Sequence, residues 1–242
     1  MRHDDISEMA FDWRHDPNWR IFRIMAEFVD GFDFLSQFDK TVSIFGSART
    51  APDSKYYFQA RDLASRLGAE GFSIVTGGGP GIMEAANAGA KAAKVDSIGI
   101  NIQLPKEQRI NPYVTKSEAF EHFFTRKVML SFASQVYIFF PGGYGTLDEL
   151  FEMLTLIQTH KLDGCKDTLH CIPVILFGSE YWKPLTEWVE HTVLKKFEAI
   201  DPIDLEIWTL TDDIDEAVAM AKRSKPRTNT LAKHNDEDDS QS

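Results

Sequence analysis

Five short apolar runs punctuate the chain: TVSIF at 41–45, FSIVT at 72–76, SIGINI at 97–102, QVYIFF at 135–140 and IPVILF at 172–177. Each is almost continuously hydrophobic and each gives way to glycine, proline or a polar turn. Between them lie longer stretches whose apolar residues recur every three or four positions: SKYYFQARDLASRLGAEG, GIMEAANAGAKAAK, EHFFTRKVMLSFAS, TLDELFEMLTLIQTHK and YWKPLTEWVEHTVLKKF. The first pattern suits a strand buried on both faces, the second an amphipathic helix. Their alternation predicts an α/β fold, a doubly wound, Rossmann-like parallel sheet, with a ligand at the carboxyl ends of the strands near the point where strand order reverses.

The flanks differ from this core. WRIFRIMAEFVDGFDFLSQF, 19–38, brings Ile21, Phe22, Met25, Phe28, Val29 and Phe32 near helical spacing but also carries Arg20, Arg23, Glu27 and Asp30. It predicts an N-terminal amphipathic helix that needs a partner surface and cannot cross a bilayer. From Lys225 onward, KPRTNTLAKHNDEDDSQS has almost no apolar residue to offset the entropy of ordering, which predicts a disordered tail. The expected organisation is a helical extension over 1–39, a nucleotide-binding and catalytic domain over 40–224, and a tail over 225–242.

Composition narrows the partners. The 242 residues are 43% hydrophobic, enough for one large core, and the formal net charge is -11. That balance argues against a nucleic-acid or anionic-membrane partner, which would need clustered Lys and Arg. The opening MRHDDISEMAFDWRHD has no continuous apolar core of the signal-peptide kind, so the expected location is cytoplasmic. Cys165 and Cys171 make no CxxC pair, and His170 is read as a strand-edge residue, so two free thiols and no metal site are expected.

Three turns at the expected ligand edge are rich in small residues: GSAR at 46–49, TGGGPGIME at 76–84 and PGGYGTLDE at 141–149. Glycines let a backbone approach a phosphate, and the amides of the following helix terminus then point at it. Neither GxGxxG after the first strand nor GxxxxGK[ST] occurs, so NAD redox chemistry and NTP hydrolysis lose their main supporting motifs. From the first two turns, Ser47, Gly78, Gly79 and Glu84 are candidate substrate-binding positions. The third turn holds a conflict. It places Asp148 and Glu149 in the first turn of the helix that would receive a phosphate, where a carboxylate repels the ligand. One reading makes Thr146 and Glu149 a capping box. The other sends Glu149 into a cleft shared with Arg126, because a crossover helix begins at the edge where the strands end.

Taken together, GGGPGIMEAANAGA, the Arg126-Lys127 pair and PGGYGTLDE resemble the LOG ("lonely guy") phosphoribohydrolase family, long labelled lysine decarboxylase, over about residues 40–215. The N-terminal helix is similar to the longer bacterial-type branch, which tends to form assemblies larger than a dimer. The resemblance implies cleavage of the N-glycosidic bond of a nucleoside 5'-monophosphate, AMP or an N6-substituted cytokinin-type AMP, to free base and ribose 5-phosphate. It implies Arg126 and Glu149 as the catalytic pair, and Lys127, Gly142, Gly143, Tyr144, Gly145, Thr146, Leu147, Asp148 and Thr155 as nucleotide-binding positions. No cofactor and no metal are required. A homo-oligomer, dimer or hexamer, is expected.

Cleavage at the sugar passes through an oxocarbenium-like state that a carboxylate can stabilise, or that water activated by it can capture. Arg126 could hold the substrate, keep Glu149 ionised or assist purine departure. Amino-acid decarboxylation normally needs pyridoxal phosphate on a lysine, and neither Lys127 nor Lys161 stands in the apolar context such a lysine requires. A non-catalytic nucleotide or molybdenum-cofactor carrier could use the same edge and would leave its ligand intact.

Overall fold

A computed structural model describes residues 17–103, 110–162 and 172–225. The expectations for Cys165, His170, Cys171 and the tail beyond Lys225 lie outside the described residues. After the helix α1 (Pro17–Ser36), strands and helices alternate: β1 (Thr41–Phe45), α2 (Lys55–Ala69), β2 (Ser73–Thr76), α3 (Ile82–Ala92), β3 (Ser97–Ile102), β4 (Lys116–Phe120) and α4 (Phe123–Phe132). They continue as β5 (Val136–Phe139), α5 (Tyr144–Gln158), β6 (Val174–Phe177), α6 (Ser179–Trp188), β7 (Trp208–Thr211) and α7 (Ile214–Arg223). The strands form one sheet in the order β4-β3-β2-β1-β5-β6-β7. Every pairing is parallel.

This is the doubly wound α/β sheet expected from the alternating pattern. Successive strand residues serve opposite cores, which is why the central strands carry almost no polar positions. Tyr137 and Phe139 join one buried cluster with Phe45, Ile100, Met129, Leu150 and Trp182. Val136, Ile138 and Phe140 join the other with Val42, Ile44, Leu63, Ile82 and Ala217.

Two strands and one helix escaped the sequence reading. β4, KSEAF, is an edge strand exposed over most of its length, so it lacks the apolar run of a central strand. β7 is the other edge and has only four residues, and α7 follows it. The stretch expected to be one helix over 181–197 is divided: α6 contains Pro184 and passes into a π-helical turn, Val189–Leu194.

Helix α1 packs on this chain's own core through Phe28, Phe32, Phe34 and Leu35. Its contact with α4 is close, since a Cβ at Gly31 would stand 2.6 Å from the Met129 sulfur. Glu27 on α1 also completes the start of α4. Its carboxylate accepts from the Glu121 amide (3.0 Å) and the Thr125 hydroxyl (2.5 Å), and lies 3.1 Å from His122 Nδ1. Burial pushes the Glu27 carboxyl up, but these hydrogen bonds more than offset it and hold it below the usual range. The register of α4 is therefore fixed one residue before Arg126. The other face of α1 leaves Trp19, Ile21, Phe22, Met25 and Val29 exposed, Val29 to 67%.

Candidate active site

Strands β1 and β5 lie side by side, with Phe45 opposite Phe139. From β1 the chain winds outward through β2, β3 and β4, then returns to β5 and winds the other way. The strand order thus reverses between β1 and β5, the place where open α/β sheets form a ligand crevice. The loops leaving the two strands are laced together: the Phe140 amide donates to the Phe45 carbonyl (2.8 Å) and the Ser47 amide to the Pro141 carbonyl (3.0 Å). A cavity of about 960 Å³ opens above them, and α4 supplies another wall through Phe123, Arg126 and Leu130.

The turn after β5 differs from its sequence reading. Helix α5 begins at Tyr144 with Gly143 as its N-cap, so Thr146 is the third helical residue and no side chain caps the helix. The capping-box reading of Thr146 and Glu149 fails for that reason. Asp148 and Glu149 stand in the second turn, and the first turn has no acid. The early start leaves the Gly143, Tyr144 and Gly145 amides without a backbone acceptor among the described residues. A Cβ at Gly143 or Gly145 would meet nothing within 4 Å, so the chain's own packing does not demand glycine at either. Glycine there keeps space open against the backbone, as a closely approaching ligand requires. Gly142 differs: its Cβ would collide with the Thr146 side chain, at 2.1 Å from the hydroxyl oxygen.

Arg126 and Glu149 both line the cavity. Glu149 is 8% exposed, and no described residue donates a hydrogen bond to its carboxyl. Desolvation pushes it up to about 7. Attraction by Arg126 and then Lys127 opposes this, while Asp148 and Glu152 add to it. Arg126 donates through Nε to the Ile100 carbonyl (2.9 Å), and a Cβ at Gly77 would lie 2.5 Å from Nη2, so the guanidinium rests against the Gly77 backbone. Burial pulls Arg126 below its usual range and the Glu149 carboxylate acts the other way. No direct ion pair joins the two among the described residues, and the Arg126 Nη groups are left without a protein acceptor.

Of the other candidate positions, Ser47 and the whole stretch from Gly142 to Asp148 reach the cavity wall. Gly78, Gly79, Glu84, Lys127 and Thr155 do not. Gly78 and Gly79 are buried, and their carbonyls accept from the Asn111 side-chain amide (3.2 and 2.9 Å). Glu84 lies in the first turn of α3 beside Tyr57. Lys127 holds Asp148 (2.6 Å) and Glu152 (3.3 Å). Desolvation lowers its pKa, but the two carboxylates more than offset this and leave it raised. Thr155 donates back to the Phe151 carbonyl within α5.

The wall also contains residues that the sequence reading passed over, notably Arg49, Met83, Phe123 and Tyr181. Tyr181, from α6, donates to the Gly142 carbonyl (2.6 Å) and so braces the glycine turn. Arg49 ends the GSAR turn, so a signal existed for it. Tyr181 carried none, because its place depends on how α6 returns to the sheet.

Comparison with known proteins adds relatives to this geometry. A family model described as "Possible lysine decarboxylase" matches residues 83–221. A cytokinin riboside 5'-monophosphate phosphoribohydrolase from Rhodococcoides fascians is 28% identical over 196 residues, covering 76% of this chain and 89% of that protein. A pyrimidine/purine nucleotide 5'-monophosphate nucleosidase from Escherichia coli K12 is 29% identical over 182 residues. That alignment covers 70% of this chain but only 38% of the nucleosidase. Among solved structures, the molybdenum cofactor carrier protein of Chlamydomonas reinhardtii superposes with a TM-score of 0.54 at 23% identity, over 76% of this chain and 96% of that one. At that identity the likeness speaks for the fold alone.

The raised Glu149 pKa has a consequence for stability. The folded state holds the Glu149 proton more tightly than an unfolded chain, whose value is 4.5. The protein should therefore lose stability as pH rises from about 4.5 to about 7, by on the order of 3 kcal/mol for a shift of this size. Glu149→Gln should remove the loss. In urea titrations the variant should be the more stable protein at pH 8 and close to wild type at pH 5. An equal difference at both pH values would mean that Glu149 is not held as described.

Proposed function

From the premise that the chain belongs to the LOG family, whose model carries the description "Possible lysine decarboxylase", we propose that it hydrolyses the N-glycosidic bond of a purine nucleoside 5'-monophosphate. AMP or an N6-substituted AMP is the substrate class, and the products are the free base and ribose 5-phosphate. The observation that carries this reading is a buried carboxyl poised near pH 7, one helical turn inside a glycine-lined helix start whose amides are free. The phosphate sits on the Gly143 to Gly145 amides, where orphan N–H groups and the helix dipole favour a dianion. Glu149, further along α5, meets the sugar. As the bond from C1' to the base breaks, its electron pair leaves with the base, which takes up a proton. Water bonds to C1' and gives up a proton, and the Glu149 carboxylate stabilises the positive sugar or accepts that proton. Arg126, with its Nη groups free, holds the substrate or assists the departing base.

Decarboxylation, the activity in the family description, fits this site poorly. A Schiff-base lysine must shed its proton near neutral pH. Among the described residues no lysine lines the cavity, and Lys127 is held charged by two carboxylates.

Chromatography of AMP incubated with the purified protein tests the reading: adenine and ribose 5-phosphate should accumulate. Glu149→Gln should lose turnover on the order of 10²-fold or more and retain AMP affinity within a few-fold. Adenosine, lacking the phosphate anchor, should be cleaved far more slowly than AMP, and so should ATP, whose added charge faces Asp148 and Glu149. Intact AMP with measurable binding would favour a carrier, and equal cleavage of adenosine would remove the glycine turn as the phosphate anchor.

We further infer that the exposed face of α1, with Ile21, Phe22, Met25 and Val29, is covered by a second copy of the chain in a homodimer or hexamer. Light scattering at micromolar concentration should report a mass of at least two chains. A monomer would contradict it.

A further inference from the structure

The glycine turn offers amides to a phosphate but contains no cation, and the nearest lysine in sequence is already engaged. Lys127 is held by Asp148 and Glu152 and does not reach the cavity wall. Arg126 does reach it, but its guanidinium is partly buried against Gly77 and anchored by Nε to the Ile100 carbonyl, in the field of Glu149. A dianion on the Gly143 to Gly145 amides would thus lie near Asp148 and Glu149 with little compensation from α5 or from Lys127.

Arg49 lines the same cavity from the β1 side of the strand-order reversal. It belongs to the loop after β1, which is fastened to the turn after β5 by the Ser47 amide and the Pro141 carbonyl. The Ser47 hydroxyl accepts in turn from the Arg49 amide (3.0 Å), so the Arg49 backbone is fixed two residues from the bond that joins the loops. From the other side, the Ile82 amide donates to the Ser47 carbonyl (3.1 Å). The loop is therefore a rigid support. The side chain it carries is exposed, lines the cavity and has no carboxylate partner among the described residues. A planar guanidinium presents paired N–H donors that match two oxygens of one phosphate.

We propose that Arg49 is the cation that meets the 5'-phosphate, closing the site over the amides of the glycine turn from the β1 side. The phosphate is then gripped by two loops that only the reversal of strand order brings together. This rests on the reading of the cavity as a nucleoside monophosphate site. It assigns Arg49 to recognition of the phosphate and leaves the bond-breaking step to Glu149 and Arg126.

The test separates the two. Arg49→Ala should raise the KM for AMP and the inhibition constant of ribose 5-phosphate by about 10- to 100-fold, the usual worth of hydrogen bonds to a charged group. The value of kcat should change by no more than a few-fold, and adenosine binding measured by calorimetry should be unaffected. Arg49→Lys should recover part of the loss, since it restores charge without the fork. A KM within two-fold of wild type, or equal losses for adenosine and ribose 5-phosphate, would overturn the proposal. If wild-type protein binds AMP without cleaving it, the hydrolase reading fails, and calorimetry of AMP against Arg49→Ala still decides the role of Arg49. Wild-type protein that neither binds nor cleaves AMP would overturn both.

Discussion

A carboxyl group removed from water and given no hydrogen-bond donor is costly to ionise, and the rest of the site is arranged around that cost at Glu149. Leu150 and Met153, on the same helix, are core residues, so the start of α5 cannot turn its buried face to solvent. Arg126 lies close enough to favour the charged form but makes no direct pair with it. A tight ion pair would have held Glu149 ionised well below neutral pH. Separation leaves burial dominant, and the carboxyl is pushed up to about 7.

Several distant parts of the fold maintain that separation. Gly77 admits the Arg126 guanidinium against its backbone, and the Ile100 carbonyl of β3 fixes Nε. Glu27 on α1 fixes the first turn of α4, so the N-terminal helix sets the register of Arg126 without reaching the cavity. Lys127, the next residue, stays off the cavity wall and holds Asp148. A phosphate and a pair of acids can then share one helix. The amides at the start of α5 have no backbone acceptor among the described residues, Asp148 is matched by a lysine, and Glu149 stands in the second turn.

The alternation of central strands and helices was legible because burial on both faces leaves strands such as VYIF with almost no polar residue. The edges were not, since KSEAF is solvent-exposed and carries the charges of an edge strand. PGGYGTLDE was legible as a glycine-rich turn from a strand into a helix, but the capping-box reading put the N-cap three residues late, at Thr146 instead of Gly143. Thr146 matched the textual pattern of a cap, whereas the chain is already helical from Tyr144. The glycines of TGGGPG looked like a second phosphate turn. Gly77 instead makes room for Arg126, and the Gly78 and Gly79 carbonyls are taken by Asn111. Local sequence does not distinguish a glycine that opens space to a ligand from one that opens it to another part of the chain. Tyr181 was invisible for a related reason: its bond to Gly142 spans 39 positions and depends on tertiary packing.

The central claim is that Glu149 works as an anion with a pKa set by burial. The most direct measurement is kcat for AMP at saturating substrate between pH 5.5 and 8.5. The rate should climb with pH and level off, with a midpoint near or somewhat above 7 because the bound phosphate adds negative charge. A rate that stays flat across this interval would show that the carboxyl does not titrate there, and a rate that falls as pH rises would make the protonated form the active one. Either result would contradict the account.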